Sequence, residues 1–485
     1  MAAKEMSLRG RWTFVGLAFA IALFGRFAPV PEAIATIGDA TLTSDGLAAM
    51  GVLLFTLLLW LTEAIPFHIT GLLGIILLAL FGVDSFSSVV NLGFGNHIVA
   101  FFIGVLVLSS FITSSGLGNR ISVYLLSKTG NRTSLILLGF MTVGALVSAW
   151  ITDTAVAAML MPLGAAILRE EGVEPMKSNF GKALMISCAW GPTVGGIMTP
   201  AGAGPNPIAI GFLQEMAGVE LTFLGWMMFG VPAGLLILLP TWGVLMLVFP
   251  PEMKHLKKTR EEMRNEFRAL PPMHREEKVT LVIFLTTVAL WLSTPLWEAL
   301  LGISIPISLP VLLTSAVFFF PGVASTPWSK VEKDVSWSSI ILILAGISLG
   351  MVLYRTGAAE WLSLATLGGI GTLHPFMLVL VVVIIVSLIK IFLSSNTVTA
   401  SIMIPIMITL AGAVGLDALT VTMPAALTAS MAFIMVTSTP TNVIPYTAGY
   451  FSIRDFAFGG LIVSLVSAPI VAAVIYGIGL MTGLY

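Results

Sequence analysis

The sequence predicts an all-α polytopic membrane protein of about 11 transmembrane helices, built as two inverted repeats that each hold a re-entrant hairpin and a broken helix. Three observations predict it. The 485 residues are 57% hydrophobic and only 10% charged, with a mean hydropathy of +1.02, more apolar sequence than a water-soluble core absorbs. One long charged segment, from Glu252 to Lys278, divides the chain. The same motifs recur in the same order on either side of it.

Residues 1–45 hold the first element. An apolar stretch from Trp12 to Ala28 follows Lys4, Arg9 and Arg11, the charge pattern of a signal peptide. No small-residue cleavage site closes it and many apolar stretches follow, so it reads as a first transmembrane helix with a cytoplasmic N-terminus. The net charge of −1 offers no basic field for nucleic acid. A single cysteine, Cys188, excludes an intrachain disulfide framework and a thiolate metal cage, and it is expected to pack within a helix.

The first repeat is assigned to 46–250 and the second to 279–485. Between them, 251–278 carries Lys254, Lys257, Lys258, Arg260, Arg264, Arg268, Arg275 and Lys278 among six glutamates. Lys and Arg near membrane ends stay inside the cell, so this segment reads as a cytoplasmic, partly helical linker. Arg120, Lys128 and Arg132 belong to the same side by the same rule. With one span before two repeats of five, the linker is cytoplasmic only if the second repeat is inverted, which puts the C-terminus, Gly483-Leu484-Tyr485, outside.

Four echoes support the repeats. Trp60-Leu61-Thr62-Glu63-Ala64-Ile65-Pro66 returns 231 residues later as Trp291-Leu292-Ser293-Thr294-Pro295. Phe102-Ile103-Gly104, leading to Gly116, returns as Leu344-Ala345-Gly346, leading to Gly357. Thr152-Asp153-Thr154, with Pro162 nine residues after Asp153, returns 243 residues later as Ser395-Asn396-Thr397, with Pro405 nine residues after Asn396. Gly204-Pro205-Asn206 returns 236 residues later as Pro440-Thr441-Asn442.

The last two echoes carry chemistry. Polar groups without partners cost several kcal/mol in hydrocarbon, so two polar tripeptides in corresponding halves predict hairpin tips that meet at one site near the midplane. A helix start there presents free N–H groups and the positive dipole end, suited to one carboxylate of a small dianion; simple capping by Thr and Ser is the plainer role for either tripeptide alone. The breaks at 199–206 and 437–442 free backbone carbonyls which, with nearby hydroxyls, suit a hard cation such as sodium. A kink absorbed by neighbouring helices is the alternative for either break taken singly.

Taken together, the stretch at 60–66, the paired tripeptides and the two Pro-x-Asn breaks resemble the divalent anion:sodium symporter family, the INDY-type dicarboxylate transporters, from about residue 45 to 485. The resemblance implies a homodimer in the bilayer, with a scaffold and a mobile transport part, and elevator-type alternating access. It implies transport of succinate, malate, fumarate or 2-oxoglutarate, with citrate or sulfate in reserve. It implies substrate contacts from Thr152, Asp153, Thr154, Gly202, Ser395, Asn396, Thr397, Thr439 and Pro440. One sodium site would use Ser148, Thr152, Asp153 and Gly202, with Asn206 in the adjoining break; the other would use Asn396 and Ser438. A bacterial inner membrane is the expected location, and no other cofactor is expected.

Three departures from the family pattern stand out. Asp153 replaces an amide, Ala203-Gly204 lacks a substrate-facing hydroxyl, and Ile391 stands where sodium-coupled relatives have a hydroxyl. Beside it, Lys390 lies among apolar residues, where a cation either pairs, with Asp153 as the named partner, or snorkels to an interface. At ~4 Å and an effective dielectric of ~20, Asp153 would repel each substrate charge by roughly 4 kcal/mol, so a sodium ion, a proton or Lys390 must neutralise it. Cation-coupled transport is expected, with sodium-independent exchange as the alternative.

Other classes fit less well. Gly346-Ile347-Ser348-Leu349-Gly350 matches a hydrolase nucleophile pattern, but the aligned 104–108 has no serine and small residues at this spacing also pack helices. No enzyme is expected. A channel needs a continuous pore, whereas paired tips predict an occluded pocket. Glu63, His68 and His97 read as structural, and Trp328, Trp337 and Tyr485 as interfacial anchors.

Overall fold

The structure, a computed structural model, describes residues 7–257, 260–393 and 395–484. Lys4, Lys258, Ser394 and Tyr485 lie outside the described residues. Helix α1 (Leu8–Phe27) precedes a two-residue β-ribbon, Thr36–Ile37 against Ala40–Thr41. There follow α2 (Ser44–Thr62), α3 (Phe67–Leu80), α4 (Phe86–Phe94), α5 (His97–Ser114), α6 (Leu117–Leu126), α7 (Thr133–Ser148), α8 (Asp153–Glu170), α9 (Asn179–Gly196), α10 (Pro205–Ala217) and α11 (Phe223–Val248). After α12 (Arg260–Ala269) in the charged segment come α13 (Arg275–Leu301), α14 (Ser308–Val317), α15 (Trp328–Asp334), α16 (Trp337–Arg355), α17 (Ala358–Leu367), α18 (Pro375–Phe392), α19 (Asn396–Ala413), α20 (Ala418–Ser430), α21 (Pro440–Thr447) and α22 (Ile453–Thr482).

Lengths and interruptions run in parallel, α2–α11 against α13–α22. Even small devices recur. Trp60 Nε1 donates to the Phe67 carbonyl at 2.9 Å, and Trp291 Nε1 to the Ile307 carbonyl at 2.9 Å, each tying a long helix to the start of the next. In the middle of each half, two helices joined by a short tip form a hairpin, α7–α8 and α18–α19, and a helix interrupted by eight or nine residues follows, α9–α10 and α20–α21.

Among the described residues nine helices are long and apolar enough to cross a membrane: α1, α2, α5, α11, α13, α16, α18, α19 and α22. That differs from the expected count of about 11, because α10, α20 and α21 are too short and α9, though 18 residues long, is not apolar enough, while both arms of one hairpin qualify.

Ties between loops establish which ends lie together. The Lys257 amide donates to Glu171 at the end of α8, and Glu252 accepts from the amides of Asn179 and Phe180 at the start of α9. Burial pushes the Glu252 carboxyl up, but these N–H groups and the Ser178 hydroxyl outweigh it and hold the carboxyl below its ordinary value. Lys182 pairs with Asp455 at 3.0 Å, bringing the start of α22 to this end as well. At the other end, Arg355 faces Asp84 at 3.9 Å and the Ser304 hydroxyl donates to Glu220. The α7–α8 hairpin therefore enters from the linker end, and α18–α19 from the opposite end, where His374 meets Tyr476 near the close of α22.

The two breaks share one solution for their backbone. Asn206 Nδ2 donates to the carbonyls of Gly196 and Thr199, both at 2.7 Å; Asn442 Nδ2 donates to those of Ala432 and Met435, at 2.7 and 3.1 Å. The partners lie ten and seven residues back in both cases. Each asparagine thus satisfies carbonyls that the interruption frees, in a place where water is scarce.

Glycines let the hairpin lie close to the break. A Cβ at Gly195 on α9 would stand 2.2 Å from the Ala145 carbonyl oxygen of α7, and one at Gly191 would stand 2.7 Å from Met141 Cα. Gly195→Ala should therefore destabilise the protein by roughly 1–3 kcal/mol, whereas Gly243→Ala, with open space around it, should be neutral in the same thermal unfolding assay in detergent. Asn206→Ala strands two buried carbonyls and should likewise cost about 1–3 kcal/mol per unsatisfied group.

Candidate functional site

Four helices begin at one place. α8 starts at Asp153 after Thr152, α10 at Pro205 after Gly204, α19 at Asn396 after Ser395, and α21 at Pro440 after Thr439. All eight residues line a single cleft of about 930 Å3. Each hairpin's inner arm packs on the short segment of the other half's broken helix, α8 on α21 and α19 on α10, so the four starts converge across the division between halves.

Hydroxyls knit the convergence. Thr154 Oγ1 lies 3.1 Å from Thr441 Oγ1, which also bonds Thr439 Oγ1 at 3.2 Å. A Cβ at Gly204 would come within 3.0 Å of Thr397 Oγ1, so the glycine lets the second tip approach the first break. Ser395 caps α19 through Val398 N–H at 3.4 Å; Thr152 occupies the cap position of α8 but makes no capping bond.

The acid is held locally. Asp153 accepts from the Thr154 amide at 2.7 Å and the Thr154 hydroxyl at 3.3 Å, and its own N–H donates to the Gly202 carbonyl at 3.0 Å. Lys390 forms no salt bridge with it among the described residues, although the two charges interact. The ammonium, 4% exposed, donates to the Ala429 carbonyl at 2.5 Å. It does not snorkel either, because the side chain is enclosed against the end of α20 rather than reaching the surface. A lysine at the centre of a membrane helix costs about 2.5–3.5 kcal/mol, and the freed carbonyls at the end of α20 offset it.

Predicted residues divide by position. Thr152, Asp153, Thr154, Ser395, Asn396, Thr397, Ser438, Thr439 and Pro440 line the cleft. Gly202, expected at the substrate, does not; it sits behind the tip with its carbonyl on Asp153. Ser148, Asn206 and Lys390 are also buried away from the cleft. Asn206 is fully committed, since its Oδ1 accepts from Ser430 at 3.0 Å.

Two oxygens among the predicted site residues lack partners. Ser148 Oγ and Asn396 Oδ1 are buried without a hydrogen bond. Close to the former, a Cβ at Gly202 would come within 2.7 Å of the Ser148 carbonyl and 2.6 Å of the Gly196 carbonyl. Crowded hard oxygens beside a carboxylate form a donor set that fits a sodium ion.

The opposite wall escaped sequence reasoning. Ser109, Ser110, Thr113 and Ser114 of α5, with His68, Lys330 and Asp334, complete the cleft toward the linker end. Ser110 donates to Asp334 at 2.8 Å, tying α5 to α15. The hydroxyl run at the close of α5 was a visible signal. His97 Nε2 lies 2.6 Å from Gln214 Oε1, a structural contact. Ser348 is wholly buried and donates to the Val89 carbonyl at 2.8 Å, so it holds α16 on α4 and is no nucleophile.

Comparison with known proteins agrees with this arrangement. The profile described as "Sodium:sulfate symporter transmembrane region" matches residues 11–483. The chain is 30% identical over 452 residues to the sodium-dependent dicarboxylate transporter SdcS of Staphylococcus saprophyticus, covering 90% of this chain and 86% of that protein. SdcS of Staphylococcus aureus is 30% identical over 450 residues, covering 89% and 85%. Among solved structures, the YdaH transporter of Alcanivorax borkumensis superposes with a TM-score of 0.57 at 15% identity, over 82% of this chain and 88% of that one, a likeness of fold. The tips, the breaks and a match over nearly the whole length place this chain in the sodium:sulfate symporter family, the divalent anion:sodium symporters.

Proposed function

We propose that this protein is a secondary active transporter of small divalent organic anions such as succinate, malate, fumarate or 2-oxoglutarate, coupled to sodium and working by elevator-type alternating access as a homodimer in a bacterial inner membrane. The observation that carries this reading is the convergence of four helix starts. Each N-terminus is equivalent to roughly half a positive charge, so four sum to about +2, the complement of a dianion. Among the described residues no arginine lines the cleft, and a ligand held by dipoles and hydroxyls is released readily.

Within this reading Thr154, Ser395, Asn396, Thr397 and Thr439 orient the two carboxylates. Sodium binds behind the first tip, between Ser148, Asp153 and Gly202, where it cancels the charge that would repel substrate. The linker end faces the cytoplasm and the end of α22 faces outside, so the cleft is open inward. Packing supports a moving part: α19 lies along α16 and α17, whereas α8 touches α5 and α6 only sparsely. Helices α7–α11 and α18–α22 form the mobile body on this view, and α2–α6 with α13–α17 the scaffold.

A second reading has one observation in its favour. Ile391 offers no oxygen where its counterpart Ser148 does, and a lysine stands next to it, so exchange without sodium is the alternative.

Uptake of labelled succinate into proteoliposomes, with and without sodium, a proton gradient and internal dicarboxylate, tests both. Sodium-driven accumulation without internal anion is expected; uptake that requires internal anion and ignores sodium would establish exchange instead. Asn396→Ala and Thr154→Ala should each lower uptake at least ~10-fold in folded protein, a loss of more than about 1.4 kcal/mol of binding. Wild-type rates in both would refute the two-cradle site. Asp153→Asn should raise the sodium concentration for half-maximal uptake by about tenfold or more, as loss of a direct charge contact requires.

A further inference from the structure

We infer that the Lys390 ammonium is a tethered cation that fills the second half's counterpart of the Ser148–Gly202 site, so that one fewer free cation binds than the twofold plan allows. The inference rests on the sodium reading above and concerns how many ions that reading includes. The identical Asn206 and Asn442 networks make the two breaks structural counterparts, pairing Gly196 with Ala432 and Gly202 with Ser438. The tips, aligned through Asp153 and Asn396, pair Val147-Ser148 with Lys390-Ile391.

Beyond Gly196 against Ala432 and Gly202 against Ser438, these counterparts differ at Val147-Ser148 against Lys390-Ile391. In the first half Ser148 Oγ is buried without a partner, and the carbonyls of Ser148 and Gly196 crowd the space beside Gly202. In the second half the serine is an isoleucine and its neighbour is a buried lysine. Lys390, Ile391, Ser438 and the 431–434 turn enclose a residual cavity of only about 10 Å3. One water needs roughly 10–15 Å3, so this cavity is at the limit of a single water. The Lys390 ammonium bonds the Ala429 carbonyl, freed by the end of α20, and Ser387, Ser438 and Ser464 stand around the same cavity. The Ala429 carbonyl is its one hydrogen-bond partner among the described residues, and its charge interacts with that of Asp153 without a salt bridge between them.

The test reads ions directly. Equilibrium binding of radioactive sodium to the purified full-length protein in detergent should saturate at no more than one ion per protomer. The double variant K390V/I391S, which copies Val147-Ser148, should bind one more. Two saturable sodium sites in the unaltered chain would overturn the inference whether or not the variant folds. Equal counts in the unaltered chain and a variant that melts as cooperatively would overturn it as well. Sodium activation of succinate uptake should be non-cooperative in the unaltered chain, with a Hill coefficient of about one, and cooperative in the variant. Failure to transport any dicarboxylate would count against the substrate reading while leaving the ion count to stand or fall by itself.

Discussion

Everything at the centre of this molecule depends on the need to satisfy backbone groups where helices are interrupted within the membrane. A break frees N–H groups on one side and carbonyls on the other, and hydrocarbon supplies no partner for either. Asn206 and Asn442 meet that need for the carbonyls, each with one side-chain amide and the same spacing. The starts of α10 and α21 line the cleft with their first turns already satisfied: Pro205 and Pro440 carry no N–H, Asn206 N–H donates to the Ala203 carbonyl, Thr441 N–H to Thr439 Oγ1 and Asn442 N–H to the Thr439 carbonyl. The residues that hold each break open therefore also fix where α10 and α21 begin.

The twofold plan is imperfect in ways that bear on charge. Asn206 has its carbonyl oxygen engaged by Ser430, whereas Asn442 Oδ1 is buried without a partner. Asp153 opposes Asn396, and Lys390 opposes Val147. Two breaches of symmetry, one negative and one positive, lie in the two tips that meet at the cleft. A field built from dipoles alone would be nearly equal from both halves. The substituted tips make it unequal.

Packing is unequal too. α16 and α17 lie along α19, while the corresponding α5 and α6 leave α8 largely free and the cleft open between them. Identical packing on both sides would close the cleft at both ends. The hydroxyls of α5, with Lys330 and Asp334 of α15, line the opening so formed, a polar strip on an otherwise apolar wall.

Much of this was legible in the residues. Hydropathy announced a membrane protein, and the ordered echoes announced two halves, two tips and two breaks, because polar residues inside apolar sequence must have a purpose there. The count of crossings was less legible, since broken helices disguise their length from any hydropathy window. Ser109, Ser110, Thr113 and Ser114 went unnoticed because hydroxyls on a helix can bond their own backbone and so reveal nothing of what they face. Sequence alone determined that four helices begin among polar residues and that one tip carries an acid near a buried lysine. Only the tertiary structure decided that the lysine turns to the Ala429 carbonyl rather than to Asp153, because the end of α20, 39 residues further along the chain, puts an unpaired carbonyl within its reach.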